Sequence, residues 1–300
     1  LLISEFKLLR RRSDLPWRHD LPAMMLWGKG IPEDGIPEPK KMSWIAGGEN
    51  PVAMIRGSWK SDGFFVGLKA GSGKNSHAHL DAGSFVLDAF GERWVEDPGT
   101  QSYGPLEAAG LKIWSNQQES DRWKVFRFNN FSHSTLTINN QLQSAEGVAP
   151  IIRSIENENR VAALTDLSEI YSDQVENITR GLMIEENSFV QIQDEVTAGT
   201  KDAEIRWNIP TLAAIQKIDN REIVLSKGGK KMYLRILAPA DAEFAVEPAI
   251  GKQKYDEGNP GMNLIYFRNH LKATEQSTIR VLFFGENLNA KPVELKLKDW

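Results

Sequence analysis

Past Pro51 the chain breaks into short apolar runs: Val52–Ile55, Phe64–Leu68, Ser84–Phe90, Ser134–Ile138, Val161–Leu164, Phe189–Ile192, Ile205–Ile209, Met232–Leu237, Leu264–Phe267 and Ile279–Phe284. Runs of this length, rich in β-branched and aromatic residues, predict strands. Turn residues punctuate them, among them Asn220, Gly228-Gly229 and Asn259-Pro260-Gly261. Helical periodicity is absent after Asp97 except for a short helix around Pro105–Trp114. The pattern predicts a mainly β fold, most simply a large antiparallel β sandwich of several stacked sheets. No internal repeat or low-complexity tract interrupts it.

The first part of the chain has another texture. Leu2–Arg12 places Ile3, Phe6 and Leu9 at helical spacing and ends on Arg10-Arg11-Arg12, a basic run suited to a helix C-terminus. Between Ser13 and Lys41 lie Pro16, Pro22, Pro32, Pro37 and Pro39, which keep regular structure out and predict a connector. Residues 1–47 therefore read as the end of a helical segment plus a Pro-rich connector, and residues 48–300 as the β domain.

Composition removes several function classes. The net charge is −4, so no global basic field points to nucleic acid or an anionic membrane. No apolar run approaches the ~20 residues of a membrane span. There is no cysteine, so disulfides and thiolate sites are excluded and any metal must rest on His, Asp or Glu. The chain does not begin with Met and its first residues lack the order of a signal peptide, which predicts a start inside a longer protein.

The chemistry concentrates between Gly71 and Tyr103, GSGKNSHAHLDAGSFVLDAFGERWVEDPGTQSY. His77, His79 and Asp81 alternate with Ala78 and Leu80; on an extended strand all three would face one way. Ser84–Phe90, a turn at Gly91-Glu92 and a return strand Arg93–Glu96 predict a hairpin that carries Asp97 back toward the imidazoles. Asp97-Pro98-Gly99 closes it in turn chemistry. Further on, His133 opens the predicted strand Ser134–Ile138.

These residues admit several readings. His77, His79, Asp97 and His133 offer imidazoles and a carboxylate, a zinc-type donor set. His79-Leu80-Asp81 with His133 matches the spacing of a 2-His-1-carboxylate iron site. Each histidine is also acceptable as a hydrogen-bonded polar residue in a β core. A separate group, Trp114, Arg122-Trp123-Lys124 and Arg127, combines aromatic faces that stack on sugar rings with guanidinium forks that pair with carboxylate or sulfate. Tyr103, just past the Asp97 turn, is placed to donate a proton.

Taken together, HAHLDAGSFVLDAFGERWVEDPGTQSY followed by SNQQESDRWKVFRFNNFSHSTLTIN resembles the C-terminal half of the heparinase II/III-like polysaccharide lyases, over roughly Gly48–Gln143. The resemblance implies a helical toroid, of which residues 1–47 would be the end, followed by a multi-sheet antiparallel β sandwich. It implies Zn2+, mainly structural, on His79, Asp97 and His133, and His77 as the active-site histidine beside an acidic polysaccharide substrate. The reaction it implies is β-elimination at a uronic acid, in a periplasmic or secreted setting. The family's principal catalytic Tyr comes from the toroid, so this chain alone is expected to be nearly inactive. A zinc-stapled sandwich that binds acidic glycan without cutting it is the alternative outside catalysis.

Overall fold

The structure is a computed structural model that describes residues 26, 29–30, 38–288 and 290–300. The helix expected at Leu2–Arg12 and most of the proline-rich connector lie outside the described residues. Lys41–Trp300 forms one compact unit. Its first strand precedes the Gly48 boundary read from the sequence.

A five-stranded antiparallel sheet runs β1 (Ser43–Ala46), β2 (Val52–Arg56), β3 (Phe65–Lys69), β4 (Phe85–Ala89) and β5 (Glu92–Val95), in that spatial order. The turn between β4 and β5 falls on Phe90 and Gly91, both at positive φ (59° and 80°). That is one residue earlier than expected, because a two-residue hairpin with right-handed strand twist needs left-handed backbone at both central positions. The predicted helix shrinks to α1 (Tyr103–Ala108).

The remaining strands are β6 (Leu136–Ile138), β7 (Ile151–Glu156), β8 (Arg160–Asp166), β9 (Asn177–Glu185), β10 (Phe189–Thr197) and β11 (Ala203–Thr211). They continue with β12 (Ala214–Lys217), β13 (Glu222–Lys227), β14 (Lys230–Ala238), β15 (Ala245–Pro248), β16 (Asn263–Leu271) and β17 (Gln276–Phe284). Eight of them form a sheet in the order β12-β13-β14-β17-β10-β9-β8-β7, and four a sheet in the order β15-β16-β11-β6.

One apolar core draws on all three sheets, with Ile55, Leu87, Ile184, Ile192, Trp207, Phe267 and Val281 buried together. The middle of the eight-stranded sheet is covered on its other face too, where Met183, Phe189 and Leu282 pack with Leu297 and Trp300. Gln191, Gln193 and Glu195 alternate along β10 and hydrogen-bond the backbone of Val293, Leu295 and Leu297. Covering both faces in this way removes the clean polar–apolar alternation from β8–β10.

Two joints bring distant segments to one place. The Glu96 N–H donates to the Pro210 carbonyl (2.9 Å) and Thr211 Oγ1 to the Trp94 carbonyl (2.8 Å), docking the end of β5 on β11. β6 pairs with the same strand through Ile205–Trp207. Asp97, just after β5, and His133, just before β6, are therefore delivered side by side. No helix among the described residues is long and apolar enough to cross a membrane.

The segment behind the His79 loop is closely packed. Ala145 lies against Leu80 and Trp123, and Gly147 rests on the Glu169–Ile170 backbone. A Cβ at Gly147 would fall 2.5 Å from the Glu169 carbonyl oxygen and 2.9 Å from the Ile170 nitrogen. Gly147→Ala is expected to cost about 1–3 kcal/mol through forced backbone movement. Urea unfolding measures it, and an unchanged midpoint would show that this contact is soft.

Candidate functional site

His77, His79 and Asp81 do not lie on a strand. β3 ends at Lys69 and β4 begins at Phe85, and the intervening loop carries positive φ at Gly71 (92°), His77 (58°) and Gly83 (80°). An extended run cannot pass through such positions. The expected single face is therefore split. His79 and Asp81 turn toward His133, while His77 turns toward Tyr103.

The inner cluster is built around His133, which is fully buried. Its Nδ1 lies 3.0 Å from Asp97 Oδ2 and its Nε2 2.9 Å from the Arg127 carbonyl oxygen. A carbonyl only accepts, so Nε2 carries a proton. Asp97 Oδ1 accepts the Gly99 N–H (2.7 Å), which is the work of the Asp-Pro-Gly turn. Burial alone would lower the pKa of His133, but the Asp97 carboxylate outweighs it and the net shift is upward. Burial would likewise raise Asp97, yet His133 and the Gly99 N–H hold its carboxyl well below the usual range.

His79 stacks on Phe128 (centroids 4.7 Å apart) and its ring lies 5.5 Å from that of His133. Burial, aided by His133, pushes its pKa down to about 4, so it is neutral near pH 7, the form that binds metals. Asp81 is buried and ion-paired with Lys69. One ligand atom from each of His79, Asp81 and His133 lies within 4.8 Å of the others. Asp97 stands outside that trio but holds His133 directly.

The outer cluster is open to solvent. His77 Nδ1 lies 3.0 Å from the Tyr103 hydroxyl, and the two rings are nearly parallel with centroids 5.8 Å apart. Trp114, 65% exposed, meets both rings edge-on at 6.0 Å and 5.3 Å. Arg122 donates from Nη2 to the Tyr103 hydroxyl (3.2 Å) and from Nε to the Ala78 carbonyl (2.9 Å). Its guanidinium lies 4.6 Å from the Phe128 ring centroid. Arg122 is thus part of the site but buried, and acts by holding Tyr103 and the His77–His79 backbone.

Arg127, expected to face substrate, does not. Its fork donates to Asn259 Oδ1 (3.0 Å), the Thr100 carbonyl (2.7 Å), the Gly258 carbonyl (2.8 Å) and Glu257 (3.3 Å). Those acceptors draw the guanidinium into the 256–259 loop. Its part in the site is its carbonyl on His133. Lys69 and Phe128 were not picked out from the sequence, since an isolated lysine or phenylalanine carries no motif. Asp81 did stand in the His-x-His-x-Asp alternation.

The comparisons agree with this fold. The chain belongs to the heparinase II/III-like, C-terminal family, whose model matches residues 59–280. Among solved structures it is similar to heparan sulfate lyase HepC from Pedobacter heparinus, with TM-score 0.65 and 14% identity over 96% of this chain and 42% of that one. A heparinase III gene product gives TM-score 0.62 and 18% identity over 94% of this chain and 41% of the other. At such identities the likeness speaks for the fold, and the chain spans about two fifths of the length of these structures. No curated protein matches it.

Arg122→Met keeps an apolar stem of similar length but removes the donors to Ala78 and Tyr103. The loss is expected to be about 1.5–3 kcal/mol, the usual contribution of hydrogen bonds to a charged group. Chemical denaturation checks it; an unchanged stability would show that these two bonds contribute nothing.

Proposed function

We propose that this chain is the β-sandwich portion of a polysaccharide lyase that cleaves uronic-acid-containing acidic glycans by β-elimination. Family membership supports the reaction class. The observation that carries the reading onto named residues is the hydrogen-bonded group His77–Tyr103–Arg122, which presents His77 to solvent beside Trp114, has Arg122 buried, and is backed by the imidazole–carboxylate cluster.

The reaction requires three events. Charge on the C5 carboxylate is damped, the C5 proton leaves, and the C4–O bond breaks as C4=C5 forms, with the leaving oxygen taking a proton. Damping comes first, because the C5 proton is too weakly acidic beside a full carboxylate. On this reading His77 faces the uronic acid and the Tyr103 hydroxyl exchanges a proton there. Arg122 fixes that hydroxyl, and Trp114 offers a stacking face for a sugar ring. The family's principal Tyr belongs to its helical domain, so the 300-residue chain alone should turn over at trace rates. A substrate of this class would be met in the periplasm or outside the cell.

We assign His79, Asp97 and His133 to a zinc ion, with Asp81 as a nearby fourth group. The donors fit. His79 is neutral, and with the Nε2–H of His133 on the Arg127 carbonyl, Nδ1 is the nitrogen that would face an ion, which would displace the proton Nδ1 shares with Asp97. Bound zinc would act as a staple that fixes the loop carrying His77. The trio His79, Asp81 and His133 also has the composition of a 2-His-1-carboxylate iron site, so elemental analysis for zinc against iron separates the two.

Two measurements test this. In the intact protein containing this chain, acidic glycans should yield the absorbance of unsaturated uronate, and Tyr103→Phe should slow it by roughly a hundredfold or more. Undiminished turnover by that variant would remove Tyr103 from the chemistry. Separately, His133→Ala should lose bound zinc and melt lower, since a structural ion contributes folding energy. A variant that keeps its zinc ends the ligand assignment.

A further inference from the structure

Arg180 on β9 and Asp194 on β10 are register partners, and both are fully buried. The pair is bidentate: Nε donates to Oδ1 at 2.7 Å and Nη2 to Oδ2 at 3.0 Å. The remaining nitrogen, Nη1, donates to two carbonyls at once, Gly83 at 2.7 Å and Ser134 at 2.9 Å. Gly83 lies two residues past Asp81, and Ser134 is next to His133. One buried nitrogen therefore spans the two segments that carry the inner cluster, segments some fifty residues apart in the chain.

We propose that the Arg180–Asp194 pair is the positioning device of the inner cluster: it sets the spacing between the His79–Asp81 loop and His133, and through that spacing the affinity for the ion. The proposal rests on His79 and His133 being ligands. A buried ion pair is a poor source of net stability, because its attraction is set against the desolvation of two charges, and well-packed apolar replacements are often no less stable. What the pair does supply is geometry. A guanidinium presents planar donors at fixed angles, and with Asp194 occupying one edge, Nη1 is aimed in a single direction. The carbonyls it meets lie outside the strands, Gly83 just before β4 and Ser134 just before β6. Neighbouring bonds work to the same end: Gln143 Nε2 (2.9 Å) and Thr135 Oγ1 (2.7 Å) both donate to the Ala82 carbonyl. None of these four residues lies among the groups proposed to touch ion or substrate.

The test uses the 300-residue chain with two variants, Arg180→Met/Asp194→Leu and Arg180→Lys. The first removes both charges; the second keeps the charge and loses the fork. Zinc affinity is read by competition with a chromogenic chelator, and amide hydrogen exchange is read on the metal-free protein. Both variants should fold, bind zinc about 10- to 100-fold more weakly, as is usual for lost ligand support, and exchange faster across 77–84 while β16 is unchanged. Wild-type affinity with wild-type protection in that loop overturns the proposal. So does a loosening shared equally by the loop and β16, which marks a merely structural pair. If the double variant does not fold, Arg180→Lys decides by the same criteria. If the wild-type chain takes up no zinc, the ligand assignment fails on its own, and the exchange data alone then sustain or overturn the spacing role.

Discussion

The site depends on satisfying the backbone of a loop that a sheet reaches only at its end, where Gly83 and Ser84 pair with Lys69 of β3. Residues 78–84 cross the interior between β3 and β4, and buried peptide groups left unpaired are costly. Side chains and nearby loops supply the partners. Arg122 takes the Ala78 carbonyl, the Phe128 carbonyl takes the Leu80 N–H, and Gln143 takes both polar groups of Ala82. Arg180 takes the Gly83 carbonyl. The partners come from three separate parts of the chain, around Arg122–Phe128, at Gln143 and at Arg180, so the loop acquires its shape only when the sandwich is assembled. Its functional side chains are then as fixed as if they stood on a strand.

Much of the fold could be read from the sequence because strand pairing leaves local marks. The hairpin Phe85–Ala89 and Glu92–Val95 was legible from its β-formers and its glycine, and the long strands of the eight-stranded sheet from their apolar runs. The exact turn was not, because Phe90 at positive φ is forced by the hairpin and not by its own preference. The alternation at His77–Asp81 imitated a strand for another reason. A loop that must present polar groups and bury Leu80 in one direction also alternates. The concentration of imidazoles and acids followed all the same, since it came from residue type and from the hairpin that returns Asp97, neither of which required a strand. Arg127 was misread because sequence places a guanidinium near a site without saying what else lies within its reach, and the 256–259 loop is more than a hundred residues away.

The two acids beside the imidazoles have different partners. Asp97 is answered by His133 and a backbone N–H, and Asp81 by Lys69. His79, facing the same space, is kept neutral by burial and by its neighbour. A group of four titratable side chains would ordinarily relieve its own charge by sharing protons. Here one imidazole is set toward the charged form by its carboxylate neighbour and the other away from it by burial.

The inner and outer clusters are not independent, and Ala78 is where they meet. Its carbonyl is held by the same guanidinium that holds the Tyr103 hydroxyl, and it stands between His77, which faces solvent, and His79, which faces the core. A movement of His79 must therefore be transmitted across two peptide units to His77, and through Arg122 to Tyr103. Phe128 reinforces the link by touching His79 with one contact and the Arg122 guanidinium with another. Proton-moving groups work best when their separations vary little, and an exposed imidazole on a turn has few contacts of its own to limit it. Rigidity for His77 must come from behind, through Ala78, which alone separates it from a ring packed among Phe128, His133 and Asp81. That is the physical reason to regard the buried cluster and the exposed one as a single site.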